Sequence, residues 1–394
     1  MGLFDKCYVF KQRVDYIKSH NQFFYLREID PAASPVVIRN GKKMIMLGSN
    51  NYLNLTEHPK VKEAAIKAIE KYGTGSCGSR ILTGTTSIHT KLEKKLAEFK
   101  KTEDSITFSA GFLALMATIA GITDKGDVIF SDELNHASII EGCRLSKAEV
   151  KVYNHNDMIS LEEQFTQCNP DANKLIITDG VFSMKGDVAN LPEIKNLADK
   201  YHAEIMVDDA HGTGVLGATG RGTLEHFNME GKIALISGTF SKSFAAIGGF
   251  TGAKADIIEF LKLSSRPFIF TASPPPSVAA TILACIEVIE ENPQIVKQLH
   301  TNSNFLKNGL KEMGYALDDT ITPIIPIIIN NDEKAFMMTG LMEEEGVFVN
   351  PVIWPAVPKD QSIIRVSLSA GHTEDELGIA LEKFKVVGKK LGII

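Results

Sequence analysis

Lys242 stands in the run Gly238-Thr239-Phe240-Ser241-Lys242-Ser243, with Gly248-Gly249 close behind. Its neighbours Ile236, Phe240, Phe244, Ala245 and Ala246 are apolar or small, so the amine is expected in an enclosed setting. A desolvated lysine gives up its proton more readily and can form a Schiff base with an aldehyde. The hydroxyls of Thr239 and Ser241 beside it suit a phosphate. An aldehyde and a phosphate on one molecule describe pyridoxal 5'-phosphate. That cofactor makes demands elsewhere. Its ring nitrogen wants a carboxylate, whose charge keeps it protonated; Asp208, ending the run Glu204 to Asp208, is the candidate. Its phosphate wants a helix N-terminus opened by glycine, and Ser109-Ala110-Gly111-Phe112 precedes the apolar run Leu113 to Gly121. Its ring face wants an aromatic cover, which His136 in the segment Asp132 to Ser138 can give.

A second glycine-rich segment, Gly212-Thr213-Gly214-Val215-Leu216-Gly217, matches GxGxxG, with Glu225 downstream. That is the dinucleotide fingerprint, and it keeps an NAD-dependent oxidoreductase open as a reading of another class. Two features oppose it. Asp208-Asp209 would place carboxylates beside a pyrophosphate, and the segment after Gly217 reads as another turn where the fingerprint needs a helix.

The elements that must position these residues follow from apolar periodicity. Helices are expected over 61–71, 89–99, 139–145, 158–167 and 191–202. Short apolar strands are expected over 127–131, 149–153, 174–178, 204–207 and 233–237. Continuous apolar strands alternating with helices predict an α/β fold with a mostly parallel sheet covered on both faces. Ligands bind such sheets in the loops after the strands, where Asp208, His136 and Lys242 fall. After Pro274-Pro275-Pro276 the pattern changes. Helices 278–291, 294–313, 333–345 and 374–391, with strands 324–329 and 362–367, read as a smaller C-terminal α+β domain. The first fifty residues read as an arm: a helix, then a hairpin about Asn40-Gly41. The expected divisions are 1–55 for the arm, 56–276 for the large cofactor-binding domain and 277–394 for the small domain.

Composition bounds the class. The 394 residues are 44% hydrophobic and 23% charged, with a net charge of −6, which excludes a disordered or polytopic membrane chain. No basic block suggests a nucleic-acid groove. The five cysteines form no CxxC pair and the ten histidines no paired ligand spacing, so neither a disulfide framework nor a metal site is expected. The N-terminal sequence lacks a signal-like apolar region. The uncharged stretch Ser105 to Thr123 carries hydroxyls and glycines that mark it as buried core, not a transmembrane segment. A cytoplasmic protein is expected.

These residues resemble the α-oxoamine synthases, a family of fold-type I pyridoxal-phosphate-dependent transferases. Lys242 in 238–243, Asp208 and His211 in 207–217, and His136 in 131–146 are similar to that family's motifs. So are the segments 49–55, 73–85, 179–187 and 363–373, which spreads the resemblance over nearly the whole chain. It implies a decarboxylative Claisen condensation of an amino acid with an acyl thioester, carried by coenzyme A or an acyl carrier protein, in a homodimer with shared active sites. Carried over by position, Lys242 would hold the cofactor and act as acid and base at Cα. Asp208 would meet the ring nitrogen, His211 the phenolic oxygen, and Ser183 either that oxygen or the substrate. His136 would stack on the ring and assist reprotonation. Gly111 and Phe112 would bind the phosphate through main-chain N–H groups, with Thr239 and Ser241 adding hydroxyls. Arg365 would grip the substrate carboxylate and Asn50 would reach the substrate side. A silent subunit of such a family would lack Lys242.

Three positions depart from the family pattern: Lys185 where an acid is common, Leu115 where an asparagine is frequent, and Ala272 where a hydroxyl often stands, with Thr271 or Ser273 as possible substitutes. The segment 346–358 resembles the branch that joins L-serine to a long-chain acyl thioester. Segments 220–227 and 266–270 resemble branches with other substrate pairs, among them glycine with acetyl-CoA. Trp354, inside the first of these segments, is expected either to pack or to line an acyl channel.

Overall fold

The computed structural model describes residues 2–20, 22–31 and 34–394. In chain order its strands are β1 (Val36–Arg39), β2 (Lys42–Met46), β3 (Asp104–Phe108), β4 (Val128–Asp132), β5 (Glu149–Tyr153), β6 (Lys174–Asp179), β7 (Glu204–Asp208), β8 (Leu235–Thr239), β9 (Gly249–Ala253), β10 (Ile324–Ile328), β11 (Val347–Phe348), β12 (Asn350–Val352) and β13 (Ile363–Ser367). The chain divides into two units. One holds residues 50–300 with 320–322; the other holds 1–49, 301–319 and 323–394.

The larger unit is built on a seven-stranded sheet of order β3-β9-β8-β7-β6-β4-β5. The five strands from β8 to β5 run parallel, and β9 is antiparallel to both its neighbours. Successive residues of a strand face opposite sides, and each side has a core. Ile129, Leu175, Ile177 and Met206 pack with Ala114 and Leu115 of the helix Gly111–Ile122. Val128, Phe130, Ile176, Ile205 and Val207 pack with Leu191 and Ile194 of the helix Leu191–Tyr201. Two buried faces explain why these strands read as unbroken apolar runs. Each fully buried branched side chain contributes roughly 1.5–3 kcal/mol.

Two strands carry no such run. β3 and β9 hold Ser105, Thr107 and Thr251 in buried positions, satisfied inside the protein. Thr251 Oγ1 lies 2.7 Å from both Thr118 Oγ1 and Ser237 Oγ, and Ser105 Oγ donates to the Glu93 carbonyl at 2.7 Å. Internal bonding of this kind makes a central strand polar in sequence. The stretch 105–123 is therefore β3 followed by a buried helix, and among the described residues no helix is long and apolar enough to cross a membrane. β8 lies two residues later than its apolar run suggests. Ser237, Gly238 and Thr239 pair with β7 and β9, which puts Thr239 at a strand end and not in a loop.

In the smaller unit β10, β13 and β12 form one antiparallel sheet, and β1, β2 and β11 form a mixed one, β1 antiparallel and β11 parallel to β2. β1 and β2 join through Asn40 and Gly41, both at positive φ (49° and 75°), the backbone that a two-residue hairpin demands. The helix Glu374–Lys390 starts with a capping box between Thr373 and Glu376. Trp354 is 57% exposed beneath the Lys359 ammonium, so it is not a core packing residue.

Candidate active site

Parallel strands present their C-termini along one edge of the sheet, and in this unit that edge is acidic. β4, β6 and β7 end in Asp132, Asp179 and Asp208, all buried. Asp208 Oδ1 accepts from the Ala210 N–H at 3.0 Å. Burial pushes the Asp208 carboxyl up to about 6, against the pull of the Lys242 charge. The same Lys242 charge acts on Asp179 and on His136, so lysine, carboxylates and histidine share one electrostatic neighbourhood. Lys242 is half-buried between Phe240 and Phe244, whose rings are fully covered.

His136 is the N-cap of the helix Ala137–Ser146, its Nδ1 accepting from the Ser138 N–H at 3.3 Å. Burial, then the Lys242 charge, lower its pKa. The ring is thus a neutral imidazole at neutral pH, with Nδ1 as the acceptor. It lies edge-on to Phe112, with ring centroids 6.3 Å apart.

The phosphate cradle forms where β3, β8 and β9 meet. The helix Gly111–Ile122 has no side-chain cap at Ala110, so its first N–H groups have no partner within the helix and draw an anion. A Cβ on Gly111 would sit 2.5 Å from Thr239 Cβ; only glycine lets the helix start this close to β8. Thr239 Oγ1 lies 2.8 Å from Ser241 Oγ and accepts from the Ser241 N–H at 3.2 Å. An uncapped helix start, two adjacent hydroxyls, a lysine and a buried carboxylate suit the phosphate, aldehyde and ring nitrogen of pyridoxal phosphate.

The GxGxxG segment has a different task. Asp209 is wholly buried, and Lys100 Nζ meets its Oδ2 at 2.7 Å and Thr213 Oγ1 at 3.0 Å. Thr213 Oγ1 donates to the same Oδ2, and the Thr223 N–H to Oδ1 at 3.0 Å. A Cβ on Gly212 or Gly222 would collide with this carboxylate. The glycines wrap an internal ion pair, the following helix Thr223–His226 has only four residues, and Glu225 accepts from Thr219 N and Arg221 N. The NAD reading is thereby corrected.

His211, in the same loop, faces Tyr52: Tyr52 Oη lies 2.7 Å from His211 Nδ1 and donates to Asn50 Oδ1 at 3.3 Å. Asn50 and His211 are thus joined through a tyrosine. Ser183 occupies a tight turn closed by Gly186 N–H to Phe182 O at 2.8 Å and Phe182 N–H to Asp187 O at 3.0 Å. Thr320 and Thr322 hydroxyls donate to Gly186 O at 2.5 and 2.8 Å. His155 ties the turn to β4, with Nε2 2.6 Å from Asp187 Oδ2 and Nδ1 3.0 Å from Asp132 Oδ1. Burial opposes the imidazolium, but the two carboxylates outweigh it and raise its pKa to about 9.

Of the three departures, Lys185 is exposed in the Ser183 turn and Leu115 is packed in the core. Ser273 Oγ lies 3.2 Å from His89 Nε2, while Ala272 pairs with Ser79 in a β-bridge. Arg365 belongs to the smaller unit, buried in β13, with Nη1 donating to Ser367 Oγ at 2.8 Å.

The profile of the aminotransferase class I and II family matches residues 42–384. The chain belongs to that family. Within it the chain is an α-oxoamine synthase and an acyltransferase, with pyridoxal phosphate as cofactor. It is 46% identical to a serine palmitoyltransferase of Bacteriovorax stolpii, over 95% of this chain and 89% of the relative. It is 44% identical to an 8-amino-7-oxononanoate synthase of Thermoanaerobacter pseudethanolicus, over 98% of each. Its fold superposes on a serine palmitoyltransferase from S. paucimobilis carrying a PLP–myriocin aldimine, with a TM-score of 0.97 and 33% identity over the whole of both chains. Four groups that hold these residues in place were not singled out in the sequence: Tyr52, Lys100, His155 and Asp179. Tyr52 and Asp179 lay within the segments 49–55 and 179–187, and Asp179 also stood as an acid at the end of an apolar run.

Proposed function

We propose that this α-oxoamine synthase condenses an amino acid, L-serine, with a long-chain acyl-CoA. The observation that carries the reading is the gathering of Lys242, Asp208 and His136 in one field at the sheet edge, in a chain that superposes along its full length on a serine palmitoyltransferase.

Pyridoxal phosphate, held on Lys242, supplies a sink for the electron pair left at Cα. The other work falls to side chains. The Lys242 amine, once free, would take the Cα proton. The Asp208 carboxylate keeps the ring nitrogen protonated, His211 holds the phenolic oxygen, and Ser183 lies at that oxygen or the substrate. The neutral His136 ring covers the cofactor face. Gly111 and Phe112 N–H groups, with Thr239 and Ser241, hold the phosphate. Arg365 would grip the substrate carboxylate as a bidentate pair and so fix the orientation of the bonds at Cα; Asn50 would border the substrate. A C–C bond forms from Cα to the acyl carbon and the C–S bond breaks, releasing the thiol. The Cα–carboxyl bond then breaks to give carbon dioxide, and Lys242 or His136 returns a proton.

The site is proposed to be shared in a cytoplasmic homodimer serving sphingolipid synthesis, with 1–55, 56–276 and 277–394 as arm, large and small domains. Exposed Leu82 and Phe270, 80% and 75% accessible, support a second copy. A second reading, synthesis of 8-amino-7-oxononanoate, is favoured by the relative that matches over 98% of both chains. Thiol release across a matrix of amino acids and acyl thioesters tests both. Serine with a long acyl chain is expected to be best. Glycine with acetyl-CoA as the best pair would overturn the assignment and favour 2-amino-3-ketobutyrate formation.

A further inference from the structure

The acidic edge holds two strand-end carboxyls, Asp132 and Asp179, that the condensation does not use. Asp179 ends β6 and is paired in register with Asp208 at the end of β7. Both are buried. Asp179 Oδ2 accepts the main-chain N–H of His136 at 3.0 Å, and the in-register pairing sets the Asp179 and Asp208 carboxyls side by side on one face of the sheet. Two buried carboxyls side by side repel when both are ionised, which favours a proton on one of them.

The surroundings say which. Burial, then the negative charge of Asp208, push Asp179 well above the usual carboxylate range; Asp132 adds to this, and the His136 N–H and the Lys242 charge oppose it. Asp208, with Lys242 and the Ala210 N–H to stabilise its anion, rises only to about 6. The neighbouring Asp132 is matched by His155 and Asp209 by Lys100. Of the two, Asp179 is the one whose surroundings favour the protonated form.

The turn that carries His136 is fastened to β6 at the same place. Asn135 Oδ1 accepts the Asp179 N–H at 2.9 Å, and Asn135 Nδ2 donates to Ile177 O at 2.8 Å. With the His136 N–H on Oδ2, these bonds seat the turn against the strand end.

We propose that Asp179 is a proton-bearing positioning residue: its carboxyl donates to Asp208 and accepts from His136, so that one side chain holds the ring-nitrogen partner and the ring cover in register. This rests on the roles given to Asp208 and His136 in the proposed function. A neutral donor steadies the Asp208 carboxylate without setting a second negative charge against it.

Asparagine reproduces this pattern, since its amide N–H₂ donates and its carbonyl oxygen accepts; alanine does neither. Cofactor affinity is measured by absorbance titration of the apoenzyme, the visible spectrum is followed against pH, and kcat and KM are measured on the holoenzyme. Asp179→Ala is expected to weaken cofactor binding by about tenfold or more, the scale set by loss of support behind a binding group. It is also expected to shift the pH at which the visible band changes, and to lower kcat more than it raises KM for the amino acid. Asp179→Asn is expected to recover most of each loss. Infrared spectra of the wild-type apoenzyme at neutral pH should show a protonated-carboxyl band that Asp179→Asn removes. Absence of that band, or an Asp179→Asn enzyme as damaged as Asp179→Ala, overturns the proposal. If Asp179→Ala does not fold, the infrared band and the Asp179→Asn spectrum decide alone. Asp208→Asn and His136→Ala run in parallel separate the two levels. If both leave the spectrum and affinity unchanged, the reading of the site fails; if they disrupt it and Asp179→Ala does not, only the role of Asp179 fails.

Discussion

Tyr52 Oη and His211 Nδ1 lie 2.7 Å apart, both buried. The tyrosine sits just after the start of the larger unit, and the histidine 159 positions further on. This bond fixes the imidazole plane, and with it the nitrogen expected to meet the cofactor's phenolic oxygen. Tyr52→Phe removes the hydroxyl and little volume. A buried hydrogen bond contributes about 1–1.5 kcal/mol, close to tenfold in rate. A drop in kcat of that size, with a shift in the visible absorption of the holoenzyme, is expected; an unchanged spectrum would separate His211 from the cofactor.

Lys242→Ala is expected to remove the visible Schiff-base absorption and all measurable turnover while far-UV circular dichroism stays as in the wild type. The side chain is only half-buried, and truncating it opens no sealed cavity. Near-normal activity in this variant would defeat the whole assignment.

The His155 bridge predicts a pH dependence of stability. Its folded pKa, about 9, lies above the ordinary 6.5. Stability from the charged bridge is therefore complete below about pH 6.5 and disappears as pH rises through about 9. At 1.36 kcal/mol per unit the full effect is about 3 kcal/mol. Urea unfolding at a series of pH values should show this loss, and His155→Gln should flatten it. A wild-type curve with no decline over that range would contradict the charged bridge.

Lys100→Met leaves the Asp209 carboxylate buried without its cation. Breaking such a pair costs about 3–5 kcal/mol, visible as a lower urea midpoint. The loop from Asp209 to Thr223 should loosen with it, read as faster amide hydrogen exchange at Gly212 and Gly214.

The parallel strands were legible because each is apolar on two faces, and the cofactor residues because a lysine among small groups and a strand-end aspartate have few other uses. β3 and β9 were hidden because their interior hydroxyls are satisfied inside the protein, as at Thr251 with Thr118 and Ser237 and at Ser105 with Glu93, and no apolar period survives that. Tyr52, Lys100 and His155 act on partners far away in the chain, so spacing holds no trace of them. The GxGxxG segment misled for a related reason: glycine answers to any close neighbour, and here the neighbour was the protein's own Asp209.

β9 lies between β3 and β8, which gives the phosphate seat an order of manufacture. β3 and the helix from Gly111 leave the ribosome early, yet β3 has no sheet neighbour except β9. Strands β4 to β8 can assemble as they emerge, while the anion cradle stays unfinished until Ala253 has been made and β9 slides into the gap. A nascent chain halted before Gly249 would carry Lys242 already, but no place for the phosphate that should anchor beside it.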